Sequence, residues 1–417
     1  MITIKHAGIF VFIAILLSVC ISCEKIETWN STNNPHKELS LTTKSIEYVK
    51  DGNAFTFNLI NRVDAATEGD YIISPLSVQF LLGMLLDGAR GQTAGEITNV
   101  LGYGAGEVSA VNDYCLSILQ QLPDLDKQTK LEIANAIVVN QKYPLLDSYK
   151  TNVGKYFEAE VENMDFSDKA RTVKIINNWC SKHTDGLIPE IIKDVDPYSL
   201  AILMNAMYFK SQWAEGFKFA EGNTKPELFN PENGGQKYVK MMKNKSNILC
   251  QGNDVFTAVS LPYGNKAYHM VVLLPDEGYV LKDVTESLKS MVWSDFFHSM
   301  VSCDVDLWIP KFETKFSIKL NDILSTMGMP AAFDKNSANF KAMSEYALHL
   351  SEVRQDASIK VDEEGTVAAV VSHGEVEGTW AMLPKDRVVF HADRPFLYLI
   401  TENTTGAVIF AGRYSGI

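Results

Sequence analysis

The chain has 417 residues, 46% of them apolar and 21% charged, with a formal net charge of −13. That composition describes a globular protein with enough apolar side chains for a sizeable core, and its length allows one large domain or two ordinary ones. The acidic balance excludes non-specific nucleic-acid binding, which needs a basic face to displace counterions.

The first element reads as an export signal. Lys5 and His6 precede an apolar run from Ile9 to Val19, followed by Cys20-Ile21-Ser22-Cys23. A charged start, a short apolar run and a small-residue exit form a secretory pattern, and the run is shorter than the ~20 residues of a spanning helix. The cysteine at the exit resembles a lipobox, the cleavage and lipidation site of bacterial lipoproteins. Cys23, after small Ser22, fits best; Cys20, an ordinary cleaved signal and a redox Cys-x-x-Cys are the alternatives. The expected division is a signal peptide over 1–22, a flexible tether over 23–44, polar and rich in Ser, Thr and Asn, and one domain over 45–417. The expected location is outside the cytoplasm, lipid-anchored to a bacterial outer membrane or cell surface, or extracellular.

Within the domain, Ser45 to Val63 carries apolar residues at helical spacing. Ser74-Pro75 opens a second helix through Leu86, with the cap residue and the proline where a first turn wants them. Thr93 to Leu101 and Val108 to Leu122 predict two more. Strands are predicted over 131–139, 200–209, 258–261, 269–274, 304–309, 387–390, 396–401 and 407–412. Helices come first and strands dominate later without alternation, which points to an α+β fold. Cys115, Cys180, Cys250 and Cys303 show no metal spacing; buried free thiols are the expectation, with pairing open to an exported protein. No G-x-S-x-G, H-E-x-x-H or P-loop is present, so neither an enzyme nor a cofactor or metal is expected.

The sharpest feature is Val361-Asp362-Glu363-Glu364-Gly365-Thr366-Val367-Ala368-Ala369-Val370-Val371. Two acids and a glycine lead into uncharged small and β-branched residues. A polar stretch from Ser372 to Lys385 follows, before strands resume at Arg387. Read with period two from Thr366, one face holds Thr366, Ala368, Val370, Ser372, Gly374, Val376 and Gly378, all small and uncharged. Every ionisable residue of the segment (His373, Glu375, Glu377) falls on the other face. Such a segment can enter a sheet with one face buried, because burying an unpaired carboxylate costs several kcal/mol. No proline interrupts it.

This segment resembles the reactive-centre-loop hinge of serpins, E-x-G-T-x-A-A. Other blocks are similar in the same order: Ile73-Ser74-Pro75-Leu76-Ser77; Asn205 to Trp213, with Phe209-Lys210; Leu261-Pro262-Tyr263; Ile309-Pro310-Lys311-Phe312; and Asp393-Arg394-Pro395-Phe396 through Gly412-Arg413. The resemblance implies a serpin fold, with helices around three β-sheets, a large central sheet and an exposed loop over about 363–386. It implies a monomeric suicide inhibitor of serine proteases, with cysteine proteases as a further target class. The cut loop inserts into the central sheet before the acyl-enzyme hydrolyses. The alternative is a non-inhibitory serpin acting as a binding or carrier module.

The resemblance also distributes roles. The hinge is Glu363, Glu364, Gly365, Thr366, Val367, Ala368 and Ala369. Counting sixteen residues from Glu363 gives the bond Thr379-Trp380; counting back from Pro395 gives a position near Pro384. The scissile region is therefore expected within Thr379, Trp380, Ala381, Met382 and Leu383, whose small or apolar character favours elastase-like or chymotrypsin-like targets. Glu363 and Lys311 match an ion pair at the top of the sheet, with Trp213 beneath it. Ser74, Ser77 and Asn205 match a polar cluster that controls sheet opening. Gln355 replaces that cluster's usual histidine; it keeps hydrogen-bonding capacity and loses titration.

Overall fold

The computed structural model describes residues 34–366 and 387–417. Helix α1 (Thr43–Ala66) starts where the Thr42 hydroxyl accepts the Ser45 N–H, satisfying one of the free donors of the first turn. A short strand β1 (Tyr71–Ile73) leads to α2 (Pro75–Gly88), capped by Ser74 and opened by Pro75 as expected. Apolar on every side, α2 is buried along its whole length, so it lies inside the core. Helix α3 (Gly91–Leu101) stops at Gly102, which takes the left-handed conformation at φ +80°. Then come α4 (Val108–Gln121), β2 (Lys130–Asn140), α5 (Asp147–Tyr156), β3 (Glu160–Met164), α6 (Lys169–His183) and β4 (Ala201–Gln212).

The second half is mostly strand: β5 (Lys225–Phe229), β6 (Lys237–Gly252), β7 (Phe256–Tyr263) and β8 (Tyr268–Pro275). Helices α7 (Leu281–Lys289) and α8 (Trp293–His298) precede β9 (Val301–Pro310) and β10 (Phe312–Lys319). The chain continues through α9 (Asn321–Met327), β11 (Arg354–Asp362), the two-residue β12 (Gly365–Thr366), β13 (Val388–His391), β14 (Phe396–Glu402) and β15 (Val408–Tyr414). The helices and strands predicted from the sequence are all present.

Two hydrogen-bonded networks carry the strands. The central sheet has the order β10-β11-β12-β4-β2-β3. The larger one runs β1-β15-β14-β8-β7-β6-β9-β13, with β5 added on β6. The second and third expected sheets merge because β6, 16 residues long, pairs with β5 and β9 and then with β7 at its far end. Its core strands β14 and β15 are buried at every residue. On the outer face of the central sheet, α6 packs Ile176 into a cluster with Ala136, Val138 and Met204.

Two features correct the sequence reading. First, Cys250 and Cys303 form a disulfide between β6 and β9, where free thiols were expected; among the described residues only Cys115 and Cys180 are free, and both are buried. The antiparallel register of β6 and β9 brings the two cysteines together across a separation of 53 residues. Serine at both positions should lower the unfolding free energy by up to about 4 kcal/mol on the chain-entropy model. Denaturant titration with and without a reductant checks this; an unchanged midpoint would refute it. Second, the tether's end is not free. The Asn34 amide donates to Asp126 at 2.6 Å, the Lys37 ammonium to the Asp124 carbonyl at 2.8 Å, and Ser40 exchanges two hydrogen bonds with Gln121. Composition alone does not reveal such bonds, because the partners come from distant turns.

Candidate functional site: the hinge and its slot in the central sheet

The hinge enters the central sheet at Gly365 and Thr366. Gly365 pairs with Asp362 on β11 and Gln212 on β4; Thr366 pairs with Val361 and Ser211. Among the described residues β11 and β4 are not paired with each other, so one strand position separates them. Both edges of this slot turn odd-numbered side chains toward the core. On β11 these are Gln355, Ala357, Ile359 and Val361, all buried. On β4, Asn205 reaches α2 and Phe209 joins the main core.

Thr366 sits between them, 1% exposed, with its hydroxyl 2.6 Å from that of Tyr263. The Tyr263 ring stacks on Trp213 at 4.6 Å. Trp213 holds the turn before the hinge at two points: its indole N–H donates to the Asp362 carbonyl and its backbone N–H to the Glu364 carbonyl, each at 2.9 Å. The Gly365 backbone lies at φ +152°, and a Cβ there would fall 2.2 Å from the Ser211 carbonyl oxygen and 2.6 Å from the Gln212 Cα. Glycine is required here by both conformation and space.

Glu363 accepts from the Lys311 ammonium at 2.6 Å and from the Thr224 hydroxyl at 2.9 Å. Burial alone would raise its carboxyl, but the Lys311 ammonium and the Thr224 hydroxyl outweigh burial and hold it below the usual carboxylate range. The same hydrogen bond raises Lys311 above the usual lysine value. A depressed carboxyl contributes stability above its unfolded pKa and loses it as pH falls through the folded one; a raised lysine loses its share only at alkaline pH. The clamp is therefore complete at neutral pH and should fail only at acid pH below the usual carboxylate range. Lys311→Met should cost about 1–2 kcal/mol at neutral pH, because Lys311 is partly exposed, and should flatten the acid limb of the stability profile. An acid limb identical to wild type would disprove the assignment. Glu364 is held separately, 3.0 Å from Lys218.

The polar cluster divides across the slot. Gln355 on one side donates to the Ser74 carbonyl at 2.8 Å and accepts the Ser74 N–H at 3.0 Å. On the other side the Ser77 hydroxyl donates to Asn205, whose amide donates to Asn135 at 2.7 Å. Both halves rest on the first turn of α2, so the slot edges are fastened independently to one buried helix. The structure thus gathers the expected residues into two groups along the slot: Glu363, Glu364, Gly365, Thr366, Lys311 and Trp213 at its top, and Ser74, Ser77, Asn205 and Gln355 about six residues further down β11 and β4. Three partners escaped the sequence reading: Thr224, Tyr263 and Asn135. Tyr263 stood in a recognised block with no role attached; Thr224 and Asn135 carried no local signal. Hinge residues Val367, Ala368 and Ala369, the scissile candidates Thr379 to Leu383, and Cys23 lie outside the described residues.

The family model described as Serpin (serine protease inhibitor) matches residues 50–416. The chain belongs to the serpin family. It is 32% identical to a leukocyte elastase inhibitor of Xenopus tropicalis, over 87% of this chain and 97% of that protein. It is 31% identical to Serpin B6 of Pongo abelii over the same shares. Among solved structures, the thermophilic serpin tengpin in its native state superposes with a TM-score of 0.80 at 26% identity, covering 92% of this chain and 97% of that one. Serpins are mostly protease inhibitors and generally not enzymes; some are non-inhibitory, such as the similar thyroxine-binding globulin.

Proposed function

We propose that the protein is a suicide inhibitor of serine proteases, with cysteine proteases as a second target class. The observation that carries this reading is β12: the loop's first residues already occupy the strand position between β11 and β4. Continued at the same register in a cut molecule, the loop would set Ala368 against Ile359 and Phe209, Val370 against Ala357 and Met207, and Ser372 against Gln355 and Asn205. These are the small, uncharged residues of the sequence alternation, and they meet the core face of both edges. Each new ladder hydrogen bond contributes about 1 kcal/mol and each buried methylene about 0.8 kcal/mol, so insertion releases on the order of 10 kcal/mol. That release drives displacement of the bound protease before water resolves the ester.

The scissile bond falls within Thr379 to Leu383, and elastase-like or chymotrypsin-like proteases are the targets, in keeping with the elastase inhibitor among the relatives. The chain is exported, with residues 1–22 removed and Cys23 lipidated, as a monomer whose domain spans 45–417. The Cys250–Cys303 disulfide supports an oxidising compartment. The test mixes the soluble domain with elastase-like, chymotrypsin-like, trypsin-like and subtilisin-like proteases. A denaturant-resistant complex is expected with one of the first two. Cleavage without any complex, across the whole panel, would defeat the inhibitor reading in favour of a non-inhibitory binding module. Radiolabelled palmitate incorporation, abolished by Cys23→Ser, tests the anchor.

A further inference from the structure

We infer that Lys210 and Lys360 form a charge gate across the slot: a like-charged pair that opposes closure of the sheet and favours entry of the loop. The inference rests on the inhibitor reading above and adds two positioning residues to it.

The pair follows from register. Thr366 lies between Val361 and Ser211, so the adjoining row of the sheet has Lys360 on β11 and Lys210 on β4. Both turn to the outer face, opposite the core. On β4 the even-numbered Tyr208 reaches Asp185 just beyond α6, and Met204 packs in the α6 cluster. On β11 the odd-numbered residues are the core-facing set, which leaves Lys360 outside. Lys130 of β2 is the direct partner of Lys210 on its far side. The row therefore reads Lys130, Lys210, the slot, Lys360 and, on β10, Glu313, whose carboxylate is engaged by Lys315 at 3.2 Å.

Counter-charge is present for only two of the three lysines. Lys130 has Asp185 at 3.5 Å and lies over the Tyr208 ring at 5.0 Å. Lys360 has Asp362 at 3.3 Å. Glu132, the next acid on the same face of β2, is engaged by His183 of α6 at 2.6 Å. Among the described residues Lys210 has no acidic partner and is only partly exposed. With a strand between them, β4 and β11 are two strand spacings apart, about 9–10 Å. Closing the sheet halves that separation and puts Lys210 between lysines on both sides. Like charges directly opposite one another destabilise a strand pair, and their Coulomb energy doubles when the distance halves. Occupation of the slot relieves this repulsion.

The experiment measures the rate at which a nicked loop inserts, followed through the fluorescence of Trp213 beside the hinge and the gain in thermal stability. Lys210→Glu turns the pair attractive in the closed sheet and should slow insertion about 3–10-fold at low ionic strength. At 1 M salt, where the Debye length is about 3 Å, the difference should shrink below about 2-fold. Lys360→Glu should act in the same direction. The double variant Lys210→Glu/Lys360→Glu restores a like-charged pair and should recover most of the rate, which a merely structural role for either lysine does not produce. Single variants that insert at the wild-type rate, or a double variant as slow as the singles, would overturn the gate. Wild type that never inserts after nicking would instead remove the inhibitor reading, and the gate with it.

Discussion

On the proposed inhibitory mechanism, arginine in place of Thr366 should leave a loop that is cut without trapping the protease. The side chain at this position is 1% exposed, faces the core between Val361 and Ser211, and hydrogen-bonds Tyr263. None of its direct neighbours, Val361, Ser211 and Tyr263, carries an acid, and an unpaired buried charge costs several kcal/mol. Each 1.4 kcal/mol is a factor of ten. The fraction of protease trapped per loop cleaved should therefore fall about 100-fold or more, while cleavage itself continues. The check is the ratio of denaturant-resistant complex to cut inhibitor at equal protease. Thr366→Val, which keeps the shape and loses only the bond to Tyr263, should cost about 1–2 kcal/mol and leave trapping measurable. Equal trapping by the arginine variant and wild type would show that this residue does not enter the sheet.

Valine at Gly365 should produce a comparable loss by a different route. The obstacle is steric and lies in backbone atoms: the Ser211 carbonyl oxygen at 2.2 Å and the Gln212 Cα at 2.6 Å from a Cβ. Neither can rotate away as a side chain does, and φ +152° is a conformation that β-branched residues avoid. The hinge must then leave the slot or push β4 aside, which detaches Trp213 from the Asp362 and Glu364 carbonyls it holds. We expect at least a 10-fold fall in trapping, a loop cut more readily than in wild type, and little change in far-ultraviolet circular dichroism. Gly365→Ala should fall between the two. A valine variant that traps as efficiently as wild type would contradict the observed seat of the hinge.

Much of the fold was legible because particular segments carry their own instructions. Ser74-Pro75 specifies a helix start, and the predominantly apolar run over 76–86, broken by Ser77 and Gln79, specifies its burial. β14 and β15 read as continuous apolar runs because both faces are covered. The missed elements are those whose partners supply the burial. β11 reads Arg354-Gln355-Asp356-Ala357-Ser358-Ile359-Lys360-Val361-Asp362, with polar residues on one face and even Gln355 on the other. The first half of β6 is rich in lysine, and α6 has a narrow apolar stripe. At the site, Glu363, Lys311 and Trp213 were legible through the resemblance. Thr224 and Asn135 were not, because a hydroxyl or amide acquires a role only when tertiary structure aims it. The same holds for the disulfide: two cysteines on separate strands are paired by register, which no spacing encodes.

The placement of β13, β14 and β15 has a consequence for what remains after a single cut. Any cleavage between Thr366 and Arg387 leaves these three strands on the C-terminal piece. β14 lies between β8 and β15, β15 pairs with β1, and both are buried throughout. The fragment is thus woven into the interior and has no route out short of unfolding. A molecule cut without trapping persists as a two-chain particle of undiminished mass, and only denaturation tells it from an intact one by size. Native mass spectrometry should show one species where a denaturing gel shows two, so a single cut in this segment leaves a durable record in the molecule.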